Sequence, residues 1–178
     1  VYYHAERYCR KQSIMAVRRL SPREQGYLVG MLVGDGSLIR NKLRGEFLLK
    51  IALDRKRDQD VLRFLISLFT KSGKVASLQD ERGMSIVRVW SKSLYLFLLQ
   101  YVRVFGQRDT HHHRKQLVNP EAWRRDFATG VIGGLIDSDG HICRNKHGHG
   151  GAVITTADGS LKDQLQRLCV AHRIKATH

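Results

Sequence analysis

Two aspartates stand immediately before a glycine, Asp35-Gly36 and Asp139-Gly140, and each ends an apolar stretch of similar composition. The stretches are Leu28-Val29-Gly30-Met31-Leu32-Val33-Gly34 and Ile132-Gly133-Gly134-Leu135-Ile136-Asp137-Ser138. A carboxylate at the C-terminal end of a helix opposes the helix dipole, at a cost of about 0.3 to 1 kcal/mol. A choice that is unfavourable twice over points to chemistry. Two carboxylates brought together repel unless protons or cations lie between them. With no histidine or cysteine at ligand spacing, the hard oxygen donors favour Mg²⁺ over zinc. Asp35 and Asp139 are therefore the candidate metal ligands and, through the metal, the candidate catalytic carboxylates.

Positioning them requires helices that pack closely. Small residues recur four apart in both stretches, Gly30 and Gly34 in one, Gly134 and Ser138 in the other. Glycine inside a helix costs about 1 kcal/mol relative to alanine, and a small-residue stripe compensates by letting two helices meet backbone to backbone. The four residues are expected to form a helix interface, and parallel packing would deliver both aspartates to one place. Each following glycine is expected to take a left-handed C-terminal cap.

The elements around these helices repeat. Ser21-Pro22 marks a helix start. A hairpin with its turn at Asn41 to Gly45 follows, then an amphipathic helix over 58–72, a hairpin turning at Asp80 to Gly83, and a closing helix over Ser93 to Val104. A polar segment, 106–121, reads as a linker. A second helix from Ala122, another glycine-punctuated hairpin and a helix carrying Leu161, Leu165 and Leu168 then follow. Aligning Asp35 with Asp139 places Ile51 opposite Ile154 and Leu65 opposite Leu168 with a one-residue slip, so the chain repeats itself. The expected organisation is a basic arm over 1–20, a first repeat over 21–105, the linker, and a second repeat over 122–178 that lacks counterparts of the second hairpin and closing helix.

The 178 residues carry 31 Lys and Arg against 16 Asp and Glu, a net charge of +15, and 42% hydrophobic residues. That describes a folded chain with a polyanionic partner, not a disordered one. Three widely spaced cysteines make neither a disulfide scaffold nor a CxxC pair, which suits a reducing compartment. No apolar run of membrane-spanning length occurs, and the expected location is cytoplasmic or organellar.

The paired helix motif resembles the nine-residue signature of the LAGLIDADG homing endonucleases, and two copies imply the single-chain, pseudo-dimeric class of archaeal intron-encoded type. The likeness covers residues 22–178 and includes Val87-Arg88-Val89-Trp90-Ser91-Lys92-Ser93-Leu94-Tyr95-Leu96-Phe97, similar to the fourth strand and closing helix of archaeal members. It implies an α+β fold, a pseudo-two-fold repeat of helix-hairpin-helix-hairpin-helix with antiparallel DNA-binding sheets. It further implies a site-specific double-strand DNA endonuclease with Mg²⁺ or Mn²⁺, Ca²⁺ being a non-catalytic substitute. The implied products carry 5′-phosphate and 3′-hydroxyl ends. An intron RNA maturase, or a non-catalytic DNA-binding module of the same fold, is the alternative; retention of both aspartates favours the enzyme. Double-stranded DNA is the expected partner, with intron RNA as a second and no membrane. A monomer with internal pseudo-symmetry is expected unless another chain completes the second repeat. The first copy departs from the signature at Val33, whereas the second keeps its first acidic residue as Asp137.

Within that resemblance Lys115 matches a lysine that precedes a proline-marked turn. It either polarises the attacking water and stabilises transition-state charge or makes a plain phosphate contact, and its removal is expected to slow the reaction without loss of stability. Leu53 and Thr156 fall where relatives place a water-positioning amide. Arg40, Lys42 and Arg44, with Arg144, Lys146 and His147, are read as hairpin-loop residues facing DNA, and Lys50 joins them from the adjoining strand. Such a sheet suits the major groove. Arg55 and Lys56, with Arg57, are read as phosphate contacts. His111 to His113 read as a solvated or phosphate-touching loop, and His141 and His149 in the second hairpin as DNA-facing loop residues.

Overall fold

The computed structural model describes Val17 and residues 19–105, 114–144 and 150–176. Helix α1 (Pro22–Val33) begins as the sequence predicts: the Ser21 hydroxyl accepts from Glu24 N and the Glu24 carboxylate accepts from Ser21 N, a reciprocal capping box. Lys71 then holds Glu24 at 2.7 Å. From Gly26 to Val33 every residue of α1 is buried, so the helix lies inside the molecule.

Strands β1 (Gly36–Asn41) and β2 (Glu46–Asp54) form the first hairpin, and α2 (Gln59–Lys71) follows. The second hairpin is β3 (Ser77–Glu81) and β4 (Met84–Trp90). Its turn residues Arg82 and Gly83 both have positive φ, 48° and 83°, the backbone a tight two-residue hairpin turn requires. The four strands form one antiparallel sheet in the order β1-β2-β4-β3. Alternation along β2 sends Leu49, Ile51 and Leu53 into the core, where they meet Val87 and Val89 of β4, Leu28 and Leu32 of α1, and Leu65, Leu68 and Phe69 of α2.

The closing helix is shorter than the sequence suggests: α3 spans Lys92–Leu98, and Val102–Phe105 forms strand β5 instead. Strand β5 carries two β-branched valines, Val102 and Val104, on either side of Arg103, and it pairs antiparallel with β6 (Arg114–Leu117). Part of the expected linker is thus a strand, because pairing satisfies the backbone groups of both segments. A 3-10 turn at Pro120–Ala122 leads to α4 (Arg125–Asp139), which starts after Ala122 since Trp123 and Arg124 are extended. Strands β7 (Gly140–Arg144) and β8 (Gly150–Ile154) and helix α5 (Gly159–Ala171) complete the order. The internal repeat holds in the register itself: Gly36 pairs with Ile51 in the first hairpin, and Gly140 with Ile154 in the second.

Of the expected basic arm, Val17 and Leu20 are buried, and Gln25 Nε2 donates to both their carbonyls. Among the described residues no helix is long and apolar enough to cross a membrane.

Candidate active site

Helices α1 and α4 run in parallel with their backbones in contact. A Cβ built on Gly30 would lie 2.9 Å from Gly134 Cα and from Leu135 N, and one on Gly134 would lie 2.8 Å from Met31 N. One turn earlier Gly26 sits against Phe127, and Gly130 against Arg23 and Tyr27. One turn later Gly34 sits against Ser138. The interface is therefore a three-level ladder of Gly26, Gly30 and Gly34 against Gly130, Gly134 and Ser138. Its first level was legible in the four-residue spacing but escapes a reading centred on the terminal motif.

Rigid parallel rods bring their ends together. A Cβ on Gly34 would come 3.2 Å from the Asp139 Oδ2 atom, which sets Asp139 beside the turn that carries Asp35. Both side chains still reach solvent, yet enough water is displaced to matter. Burial, reinforced by the charge of Asp139, pushes the Asp35 carboxyl up to about 6. Burial also raises Asp139, with Lys115 pulling the other way.

The glycines after the aspartates do not take the expected left-handed cap. Among the described residues the positive-φ glycines are Gly45, Gly73 and Gly83, and Gly140 is extended at φ −103°. Glycine is needed for a different reason: the chain doubles back on its own helix. A Cβ on Gly36 would lie 2.5 Å from Leu32 Cα, and one on Gly140 2.6 Å from Ile136 Cα.

Lys115, carried on β6, reaches across to the end of α1. Its Nζ donates to Gly34 O at 2.7 Å and to Val33 O at 3.0 Å. These carbonyls are orphaned at the helix C-terminus, where a cation is favoured. Burial lowers the Lys115 ammonium to about 8, against the pull of Asp139 and Asp35. The expectation that its loss would leave stability unchanged gives way to the opposite one, since Lys115 caps the helix end and interacts with both carboxylates. Asp137 does not face this cluster: its Oδ2 accepts from Tyr27 Oη at 2.7 Å across the helix interface. The repeat places Val33 and Val131 at the equivalent positions, so only one side of the ladder carries a hydrogen-bonded clamp. Nothing in the sequence pattern flagged Tyr27.

The remaining site residues divide. Lys42 and Arg44 project from the exposed first hairpin turn, whose backbone is held by Asn41 Oδ1 accepting from Leu43 N and Arg44 N. Arg40 is not in that loop. It lies on β1 opposite Phe47, with its guanidinium 5.4 Å from the Phe47 ring centroid, on the face of the sheet that holds the core. Lys50 occupies the opposite, outer face. Arg55 is paired with Asp80 at 3.4 Å, whereas Lys56 and Arg57 lie exposed in the turn after β2. Leu53 is buried in the core, which removes it from the position of a water-positioning group. Arg144 ends β7; Lys146, His147, His149 and His111 to His113 lie outside the described residues, and His141 is exposed on β7.

No family model matches the sequence, and no curated protein matches it. Solved structures do. The crystal structure of I-DmoI in complex with DNA and Ca is similar at a TM-score of 0.54 and 18% identity over 84% of this chain and 71% of that one. I-DmoI in complex with DNA and Mn is similar at 0.53 and 16%, over 84% and 77%. A structure of mesophilic variants from the homing endonuclease I-DmoI gives 0.51 and 17%, over 84% and 76%.

The chain has the LAGLIDADG homing-endonuclease fold.

Within that two-repeat fold the donor set can be tested for a metal. Among the described residues no three His, Cys, Asp or Glu side chains gather as a closed cage. Two carboxylates with raised affinity for protons, sharing one lysine, leave negative charge without a full set of ligands. That fits Mg²⁺ or Mn²⁺, which keeps several waters and is held by one or two carboxylates plus substrate phosphate oxygens. It does not fit a closed structural zinc site.

Proposed function

We propose that this chain is a site-specific DNA endonuclease that hydrolyses both strands of a long, poorly symmetric duplex target with divalent metal. The observation that carries the reading is the delivery of Asp35 and Asp139 to one place by two helices in backbone contact, with the Lys115 ammonium held on the carbonyls at the end of the first helix. Neighbours of the same fold bind DNA and were solved with Ca or Mn, which supports the partner and the ion class.

Asp35 and Asp139 would hold the ions, which when bound supply Lewis-acid polarisation of the phosphate and a more acidic water. The rest falls to the chain. The helix ladder fixes the two carboxylates, and the α1 cap places the Lys115 ammonium where charge builds on phosphate oxygens. The outer face of the four-stranded sheet lies against the groove, while Lys42, Arg44, Lys56 and Arg57 meet the backbone phosphates, which position without reading sequence. Arg55 and Arg144, with Lys146 and His147, remain candidates for the same surface, and Arg40, exposed near the hairpin tip but on the other face of the sheet, for a phosphate contact at its margin. The chain acts as one pseudo-symmetric unit in the cytoplasm or an organelle, encoded by an intron or intein.

Selection of cleaved members from a randomised duplex library with Mg²⁺ would supply a target, which is then offered to Asp35→Asn and Asp139→Asn. Both variants should bind it and fail to cut both strands, because neutralising a carboxylate removes a ligand and relieves repulsion toward phosphate. No cleaved member at all, or a variant that cuts both strands at the parent rate, defeats the reading.

A further inference from the structure

The outer face of the four-stranded sheet is organised in rows across the strands. Register places Ser37, Lys50, Arg88 and Ser77 side by side, one residue from each strand. On one side of this row lie Ile39, Leu48 and Trp90, and on the other Ala52, Ile86 and Gln79. Ile39 and Trp90 are 45% and 52% exposed. Lys50 and Arg88 are thus directly opposed like charges at the middle of a sheet, an arrangement that destabilises. Neither makes a hydrogen bond or ion pair with a described residue, and the Nε atom of Arg88 is shielded from solvent without a partner. Of the five guanidinium donors of this half-buried side chain the Nε–H is the one cut off from water, and with no acceptor among the described residues it is costly unless something outside the chain supplies one.

From this, and resting on the endonuclease reading above, we infer that Arg88 is a specificity-determining residue that reads the major-groove edge of a guanine, with Lys50 beside it. A planar fork matches guanine O6 and N7 in two parallel hydrogen bonds, which a phosphate contact does not require. The site suits base readout by its place as well. Strand β4 is central in the sheet, so Arg88 faces the groove floor and not a strand edge that runs beside the sugar-phosphate backbone. The apolar row next to it thins the water around the guanidinium and offers contact to thymine methyl groups. Along β1 the row begins two residues past Asp35, about 7 Å at the rise of a strand, which puts the guanine within a few base pairs of the cut.

The test is a binding selection from a randomised duplex library by the full-length chain in metal-free buffer, repeated with Arg88→Lys and Arg88→Ala. The parent should enrich one G·C pair near the centre of its target, and both variants should flatten that position by about 5- to 150-fold in relative affinity. Arg88→Lys keeps the charge, so its salt dependence should match the parent's. Neither variant should lower the melting temperature, since the native Arg88 lacks a partner to lose. Equal weakening toward every sequence would make Arg88 a phosphate contact, and a fall in melting temperature with base preference intact would make it structural; either overturns the assignment. A parent chain that enriches no sequence overturns instead the endonuclease reading beneath it.

Discussion

Replacing Gly134 with alanine adds one methyl group to the face where α4 meets α1. That carbon would lie 2.8 Å from Met31 N and 3.1 Å from Gly30 C, and closer still to Tyr27 O. All three are backbone atoms of a buried helix, so no rotamer change relieves the contact. Restoring ordinary van der Waals separation moves the helices apart by about 1 Å, and overpacking of this kind costs about 1 to 3 kcal/mol. For a chain of this size that lowers the melting temperature by about 2 to 12 °C. The same displacement at the carboxylates should slow single-turnover cleavage about a hundredfold. The neighbouring residue supplies the control: a Cβ on Gly133 meets Tyr27 Cδ2 at 3.8 Å, an ordinary contact. Gly133→Ala should therefore keep full activity and gain up to about 1 kcal/mol from helix propensity. The assay is thermal unfolding followed by circular dichroism, with cleavage measured under enzyme excess. If the two alanine variants melt and cut alike, the backbone ladder is wrong and so is the account of how the aspartates are placed.

Lys115→Met removes two charged hydrogen bonds from the end of α1, and should cost about 1.5 to 3 kcal/mol and slow cleavage; unchanged melting would separate Lys115 from the helix cap. In metal-free buffer the Asp35 carboxyl, raised from 3.8 to about 6, contributes stability that is full below about 4 and lost as pH rises through about 6. Asp35→Asn should accordingly raise the melting temperature above pH 6 and flatten its fall between pH 4 and 6, and a variant less stable than the parent at pH 7 contradicts that sign. With +15 of net charge, duplex affinity should fall with salt, log K declining by about 0.9 per phosphate contact; an affinity flat between about 50 and 200 mM contradicts a phosphate-led interface.

Much of this was legible in the sequence, because it depends on short-range physics. The small residues four apart, the Ser21-Pro22 start, the strand alternation and the doubled Asp-Gly are local patterns, each tied to one backbone geometry. The repeat then told which distant segments are equivalent, and the register of the two hairpins agrees with it. What the patterns could not carry is which chemistry each glycine serves. Gly36 and Gly140 follow helices, which suggests a cap by composition alone, yet their neighbours are the backbones of Leu32 and Ile136, met only because the chain reverses there.

Long-range contacts were decided by the tertiary structure. Lys115 lies 81 residues from Gly34, and Tyr27 lies 110 residues from Asp137, separations over which no periodicity extends. Val102–Phe105 reads as the tail of an apolar helix until Arg114–Leu117 is beside it, since strand preference depends on a partner. The same holds for the outer sheet face: Lys50 and Arg88 are unremarkable as single basic residues, and only the pairing of β2 with β4 sets the two charges opposite one another. Sequence fixes what each segment tends to form, because torsions and neighbours within a few residues set that preference. Which side chains share a site is settled by packing, where one backbone in contact with another leaves room for a single arrangement.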